Sequence, residues 1–384
     1  MKKLYWRPRK VSTVVLVMVA LVSVAAVVVV EFNTVSRERI YYKEKVAAAR
    51  LASVAFDAIR AERLKTGHPI NYEFDPAGTG MLGEANSAVT TNPGYITSKR
   101  SAANPNFAAV ALYLMKRAGL KKGDTIAIGM TGSFPGMNIC VLSAAHVLGL
   151  KPIIITSVGS SQWGANFTDF MWPDMERLLN ERNIIPFQSE AMTRGGIDDN
   201  ALGLDEEAIT LIDASIERGG RPALQVRNYK DSYDRRMEIY NQASGEAPIK
   251  AYINIGGGTV SVGRSVGKKI FDVGLNMDVH TGVTSSDESV MMYFAQRQIP
   301  VLHFSKFNGL AEKFQLPVNP QTAQKPGQGP VFVSQAYNRY LAGAFVVVIL
   351  LLMVAFVRMD WGYRLFKANR NPSSSHDSAP EQSV

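Results

Sequence analysis

The chain has 384 residues, a formal net charge of +9 and a single cysteine. This length is enough for one large domain or two small ones with a sizeable hydrophobic core. One cysteine excludes an intrachain disulfide, and no Cys/His spacing typical of a metal site occurs, so we expect no bound metal. Cys140 lies in an apolar helical stretch, where we expect a small buried side chain.

Two apolar stretches near the ends of the chain predict transmembrane helices, at residues 11–30 and 340–357. Neither contains a charged residue. At about 1.5 Å per helical residue, each is long enough to cross a hydrocarbon core of roughly 30 Å. The first stretch is longer than the apolar part of an ordinary signal peptide and is followed by no small-residue cleavage site, so we favour an uncleaved anchor.

Basic residues flank both apolar stretches, in residues 1–10 and 358–384, which are therefore predicted to be cytoplasmic. The middle of the chain would then lie outside the cytoplasm. These flanks carry most of the net charge, which is therefore no evidence for nucleic-acid binding. Elsewhere, paired basic residues are typical of solvated surfaces and add at most electrostatic steering: Lys99–Arg100, Lys121–Lys122 and Lys268–Lys269. The end of the tail has few apolar residues and is expected to be disordered.

The pattern between the apolar stretches predicts, in chain order, a helix, a long loop and an α/β domain. Residues 31–66 are typical of one membrane-proximal helix that stops before Gly67 and Pro69. Residues 67–318 are assigned to the extracytoplasmic domain, and the turn-rich residues 74–107 within it predict an ordered functional loop. Residues 319–339 form a polar Gly/Pro linker to the second apolar stretch.

Alternation of strands and helices within residues 67–318 predicts an α/β fold. Short helical crossovers between strands favour a parallel or mixed sheet with helices on both faces. The predicted strands are Thr125–Met130, Lys151–Gly159, Ile184–Glu190, a strand from Ile249 into the following glycines, and Pro300–Ser305.

Three Gly/Ser/Thr-rich loops follow predicted strands: "TGSFPG" from Thr131, "TSVGSSQWGAN" from Thr156 and "NIGGGTVSVG" from Asn254. Ligands of parallel sheets bind at the carboxyl ends of strands, and free N–H groups at helix starts favour carboxylates or phosphates. We expect the loops to converge on one anion-binding crevice, the alternative being plain tight turns. The predicted ligand-binding residues are Thr131, Gly132, Ser133, Gly136, Asn138, Gly159, Ser160, Ser161, Gly256, Gly257, Gly258 and Thr259.

A serine nucleophile at Ser133 is the competing interpretation of the first loop. The elbow pattern G-x-S-x-G is absent, and Pro135 suits a first helical turn, so Ser133 also fits a helix N-cap. His280 with Asp278 could supply a base, although the serines that follow also suit a capped helix start. Both serine segments thus have a structural explanation as helix caps, so we favour binding over catalysis and keep the serine nucleophile as the alternative. No phosphate-binding motif surrounds Gly256–Gly258, so no nucleotide or other cofactor is expected.

Five segments, "DPAGTGMLGE", "KRSAANPNFAA", "GMTGSFPG", "LGLKPIIITSVGSSQWGAN" and "INIGGGTVSVG", carry a resemblance to a known family. Through them the chain resembles the poly-γ-glutamate system protein family over nearly its whole length, and the GSFP and GSSQWGAN-type loops are the most specific part. The resemblance implies an accessory protein of the bacterial cytoplasmic membrane. Its partners would be the poly-γ-glutamate ligase, a small multispanning membrane protein and the polymer. It implies no catalytic residues.

Three functional hypotheses follow from the residues and the resemblance together. The first is a doubly anchored accessory protein whose periplasmic or extracellular domain binds glutamate polymer or synthase partners. The second is a serine-dependent amidohydrolase or transpeptidase that processes the polymer. The third is a purely structural subunit of the synthase complex.

Overall fold

The computed structural model describes residues 13–263, 267–277, 279 and 288–359. These residues divide into two compact units, one of residues 13–37 with 334–359 and one of Glu38–Val333. The helices are α1 (Thr13–Phe32), α2 (Tyr42–Lys65), α3 (Ile96–Ala102), α4 (Phe107–Arg117), α5 (Pro135–Leu148), α6 (Trp172–Glu181), α7 (Glu206–Arg218), α8 (Tyr229–Ser244), α9 (Thr259–Val262), α10 (Gly267–Ile270), α11 (Val290–Gln296), α12 (Phe307–Lys313) and α13 (Arg339–Met359). The strands are β1 (Thr34–Glu38), β2 (Thr125–Thr131), β3 (Lys151–Ser157), β4 (Asn166–Phe167), β5 (Phe170–Met171), β6 (Ala191–Thr193), β7 (Ile249–Ile255), β8 (Gly274–Asn276), β9 (Val301–Phe304) and β10 (Val333–Tyr337).

The first unit contains the two apolar helices, α1 and α13, which contact each other. Their mean hydropathy reaches 3.1 and 2.4, and both are long and apolar enough to cross a membrane. Beside them, β1 pairs with β10 in a two-stranded sheet. These strands occupy parts of the segments predicted as membrane-proximal helix and as linker.

The second unit is built on a six-stranded sheet in the order β6-β3-β2-β7-β9-β8. The first five strands are parallel, and β8 pairs antiparallel with β9 at one edge, so the sheet is mixed. The first strand of this sheet along the chain is the central β2. The following strands β3 and β6 lie outward on one side of it, and β7 then pairs with its other side. The strand order therefore reverses between β2 and β7, which is where open α/β sheets bind ligands.

Helices cover both faces of this sheet, as the alternation of side chains on β2 shows. Ile126 and Ile128 are fully buried on the face covered by α2, α4, α5 and α12. Ala127 points to the opposite face, where Tyr240 of α8 and Phe294 of α11 pack. Consecutive strand residues point to opposite sides, so strands covered on both faces are apolar throughout. This explains why β2, β3 and β7 were recognisable as continuous apolar runs.

Three elements differ from the sequence-based expectation. The helix expected through residues 31–66 begins only at Tyr42, after β1. The loop expected over residues 74–107 contains α3, which carries Lys99. The strand expected at Ile184–Glu190 is wrong, because the residues that pair with β3 are those of β6, three positions long.

Candidate functional site

A cleft of about 590 Å³ opens at the carboxyl ends of β2 and β7. Its walls come from the ends of β2 and β7, from the loops after β2, β3, β6 and β7, and from residues 91–95. Helices α3, α8 and α9 also contribute, α3 through Ser98 and Lys99 and α8 through Arg236. This is the point at which the strand order reverses, so backbone groups at the strand ends are not covered by a crossover helix. The cleft is the candidate functional site.

The three loops singled out in the sequence all line this cleft. Seven of the twelve predicted ligand-binding residues lie on its surface, namely Thr131, Ser133, Gly159, Ser161, Gly257, Gly258 and Thr259. Of these, Gly257 and Gly258 are exposed, and a Cβ on either would meet no atom within 4 Å. The open space beside them belongs to the cleft.

The other five predicted residues support the loops from behind. A Cβ on Gly132 would lie 2.3 Å from the carbonyl oxygen of Val158, so this glycine permits two loops to touch. Asn138 is fully buried, and its Nδ2 donates to the carbonyl oxygen of Thr131 at 2.9 Å. The remaining three, also buried, are Gly136, Ser160 and Gly256. The first turn of α5 is therefore packed against protein, and of the TGSFPG turn it is Thr131, Ser133 and Phe134 that line the cleft.

Lys99 differs most from the sequence-based expectation. It was expected on a solvated surface, but its side chain is only 4% exposed, and it lies at the cleft wall. Its Nζ donates to the carbonyl oxygen of Ser133 and, at 2.8 Å, to Oγ of Ser161, and lies 4.3 Å from the ring centroid of Phe134. Among the described residues, no carboxylate forms an ion pair with it. Burial lowers the pKa of Lys99 to about 7.

Ser133 and Ser161 join the loops that follow β2 and β3. The backbone N–H of Ser161 donates to Oγ of Ser133 at 3.0 Å, and Thr131 Oγ1 lies 3.3 Å from the same oxygen. In the described part of the chain, Ser133 Oγ forms no hydrogen bond with a lysine or histidine side chain. The candidate partners His280 and Asp278 lie outside the described residues.

A buried ion pair forms another part of the cleft wall. Asp199 and Arg236 are both at most 5% exposed on their side chains, and Nε of the arginine donates to Oδ2 of the carboxylate at 2.9 Å. Burial opposes the charge of Arg236, but the combined effects of Asp199, Tyr240 and Tyr252 exceed it, so the pKa of the arginine is raised. The hydroxyls of Ser157, Thr193 and Ser232 also donate to Asp199.

His303 lies on β9 next to the cleft residue Asn254 but is not placed to act as a base. Two contacts define the orientation of the Asn254 amide: Nδ2 donates to the carbonyl oxygen of Gly256 at 2.8 Å, and Oδ1 accepts from Ser261. Nδ2 is therefore also the donor to His303 Nδ1, at 2.9 Å. Because Nδ1 accepts this bond, the imidazole proton lies on Nε2, which faces Ser305. Burial lowers the pKa of His303 to about 4, so the ring is neutral at pH 7.

Within the described ranges, no three His, Cys, Asp or Glu side chains lie close enough together to hold a metal ion. Lys99, Ser133, Ser161 and the glycines after β7 line the cleft with amine, hydroxyl and backbone groups. A scan of family models found no match to the chain, and searches of the curated proteins and of the solved structures found no significant match.

Proposed function

We propose that this protein is a membrane-anchored binding protein for poly-γ-glutamate and that the cleft at β2 and β7 holds the polymer through its carboxylates. The observation that carries the proposal is Lys99, a buried amine that lines the cleft without an ion-paired carboxylate in the described part of the chain. A buried charge normally has a partner of opposite sign. A ligand carboxylate would supply it.

The charges around the cleft favour an anion over a cation. Arg236 also lines the cleft, but Asp199 neutralises it, so the pair adds no net charge. Lys99 is then the remaining cationic side chain among the described lining residues. When protonated, its ammonium has three donors, of which two point to Ser133 and Ser161. A carboxylate in the cleft would bond the ammonium directly and raise its pKa.

The glycine turn after β7 supports binding of an extended chain. Neither the N–H of Gly257 nor that of Gly258 donates a hydrogen bond to another described residue, and both glycines are exposed. Backbone N–H groups bind carboxylates without needing a cationic side chain. A polymer with a carboxylate on every residue could thus use Lys99 for one carboxylate and the glycine turn for another.

The resemblance to the poly-γ-glutamate system family supports the choice of polymer. Its two most specific motifs, GSFP and GSSQWGAN, contain Ser133 and Ser161, the two serines that Lys99 contacts. In this proposal, α1 and α13 cross the bacterial cytoplasmic membrane with both termini inside. The unit of Glu38–Val333 then meets the polymer outside the cytoplasm, beside the ligase and its multispanning partner.

Titration of the full-length protein in detergent with a γ-linked glutamate pentamer tests the proposal. We expect saturable binding that weakens as the pH rises through about 7, because Lys99 loses its charge there. Lys99→Met should abolish binding. Lys45→Met is the matched control: Lys45 is as buried, at 3% exposed, but its Nζ donates to the carbonyl oxygen of Val331 and it does not line the cleft. Equal binding by the wild-type protein and Lys99→Met would refute the proposal.

A further inference from the structure

Lys99 and Ser161 form a contact that simple anion binding does not require. Nζ of the lysine lies 2.8 Å from Oγ of the serine, and both residues line the cleft. A neutral lysine amine can accept the proton of a serine hydroxyl, and a Ser–Lys pair is one of the recurrent forms of serine nucleophile and general base. The lysine's second contact, to the Ser133 carbonyl oxygen, can only be a donated hydrogen bond, which leaves the amine lone pair for Ser161.

Backbone hydrogen bonds tie the loop that carries Ser161 to other segments. The N–H of Gly159 donates to the carbonyl oxygen of Arg194 at 2.8 Å, and the N–H of Gln162 donates to that of Asn92 at 3.0 Å. Trp163 has φ of 56°, a left-handed conformation that is uncommon for an aromatic residue. Strained residues of this kind cluster at functional sites, where the surrounding structure maintains them.

We infer that Ser161 is a nucleophile and Lys99 its general base, and that the cleft cleaves amide bonds of the chain bound there. The inference rests on the proposed function for the identity of the substrate, a γ-linked glutamate chain. It replaces Ser133 with Ser161 as the reactive serine, because Lys99 reaches the hydroxyl of Ser161 and only the backbone carbonyl of Ser133. Ser133 is then a positioning residue whose Oγ binds the N–H of Ser161.

The reaction balances with water as the only co-reactant. Ser161 Oγ forms a bond to the amide carbonyl carbon while its proton moves to Lys99 Nζ. The C–N bond then breaks, Lys99 gives the proton to the leaving amine, and an ester to Ser161 remains. A water molecule attacks this ester, and one of its protons passes through Lys99 to Ser161 Oγ. The carboxylic acid that forms gives its remaining proton to solvent and is released as a carboxylate.

The two states of Lys99 would serve the two halves of this cycle. The neutral amine starts the reaction, and the depressed pKa makes that form abundant near neutral pH. The ammonium holds the product carboxylate, as it does in the binding proposal. Among the described residues that line the cleft, the other ionisable side chains are Tyr95 and the mutually paired Asp199 and Arg236.

A fluorophosphonate probe tests the nucleophile without depending on the substrate. Full-length protein in detergent is treated between pH 6 and 9, and the modified peptide is identified by mass spectrometry. We expect modification of Ser161 at a rate that rises through about pH 7, with at least a tenfold loss in Lys99→Arg, which keeps the positive charge but cannot act as a base. Lys45→Met should react like the wild-type protein, and thermal unfolding of each variant checks that it is folded.

The outcomes separate this inference from the binding proposal. Modification at Ser133, an unmodified protein, or unchanged reactivity in Lys99→Arg would each overturn the Ser161–Lys99 assignment. Labelled Ser161 in a protein that binds no γ-linked pentamer would leave the dyad in place and reject the polymer. With the pentamer as substrate, mass spectrometry should show shorter oligomers for the wild-type protein and none for Ser161→Ala. An uncleaved pentamer that binds normally would limit the protein to the accessory role.

Discussion

Asp199 and Arg236 form a buried ion pair in which both Nε and Nη2 of the guanidinium donate to the same carboxylate oxygen, Oδ2. The pair connects the loop after β6 to α8, and hydroxyls from β3, β6 and α8 donate to the remaining acceptor sites of the carboxylate. Asp199 itself has φ of 66°, so its backbone conformation is strained as well as its charge buried. This part of the cleft wall is therefore stable only if Asp199 and Arg236 neutralise each other's charge.

Asp199→Asn should therefore destabilise the second unit by about 3–5 kcal/mol, because it leaves the Arg236 guanidinium buried without a counter-charge. The measurement is the free energy of unfolding in urea. Glu181→Gln provides a matched control, since it breaks the Arg177–Glu181 pair, whose side chains are 42% and 56% exposed. That change should cost less than about 1 kcal/mol. Equal effects of the two substitutions would show that Asp199 is not needed to balance a buried charge.

The adjacent glycines Gly256 and Gly257 should respond in opposite ways to a valine. Gly256 has φ of +93°, and a Cβ there would lie 2.5 Å from Cγ2 of Thr131, so Gly256→Val should lower the free energy of unfolding by about 1–3 kcal/mol. Gly257→Val places its side chain in the open cleft and should leave stability unchanged. It should weaken binding of the γ-linked pentamer at least tenfold, about 1.4 kcal/mol. Unchanged binding by Gly257→Val would exclude the glycine turn from the ligand site.

His303 should make the stability of the second unit depend on pH between about 6.5 and 4. Its pKa falls from an ordinary 6.5 to about 4 on folding, so the unfolded chain takes up a proton that the folded chain does not. Stability is then complete above pH 6.5 and declines as the pH falls through this window, by up to about 3 kcal/mol.

Urea unfolding at pH 7, 5.5 and 4 measures this decline. His303→Gln should flatten the profile between pH 6.5 and 4, and the exposed His146 supplies the control variant His146→Gln, whose profile should match that of the wild-type protein. A wild-type profile with no decline in this window would mean that His303 is protonated in the folded state.

Sequence patterns predicted those parts of the fold that local physics determines. The strands β2, β3, β7 and β9 are apolar runs because helices cover the sheet on both faces. The position of β6 was missed because a strand of three residues has no periodicity, and its pairing with Ile155–Ser157 decides where it lies. The five residues of β1 are all exposed, so no alternation of apolar and polar side chains distinguishes this strand from the helix that follows it.

The candidate site was only half visible in the sequence. Its glycine and serine loops follow strands and could be identified from composition. Lys99 could not be identified, because a lysine beside an arginine is typical of a solvated surface, and only packing between α3 and the loops after β2 and β3 buries it. The ion pair of Asp199 and Arg236 could not be identified either, because the two residues are 37 positions apart and no local pattern connects them.

The predicted membrane topology can be tested with thiol labelling, because the native chain has no accessible thiol to react with the label. Its single cysteine, Cys140, is fully buried, and burial raises the pKa of its thiol, so maleimides should not modify it in the folded protein. Asn241→Cys places a thiol on the exposed surface of α8. Ser375→Cys places one in the tail predicted to be cytoplasmic.

If residues 67–318 lie outside the cytoplasm, a membrane-impermeant maleimide added to intact spheroplasts should label Asn241→Cys and leave Ser375→Cys unlabelled. Lysis should then expose Ser375→Cys, and the wild-type chain should stay unlabelled throughout. The opposite pattern would place the cleft in the cytoplasm. That result would also remove the basis for assigning both basic ends to the inner side of the membrane.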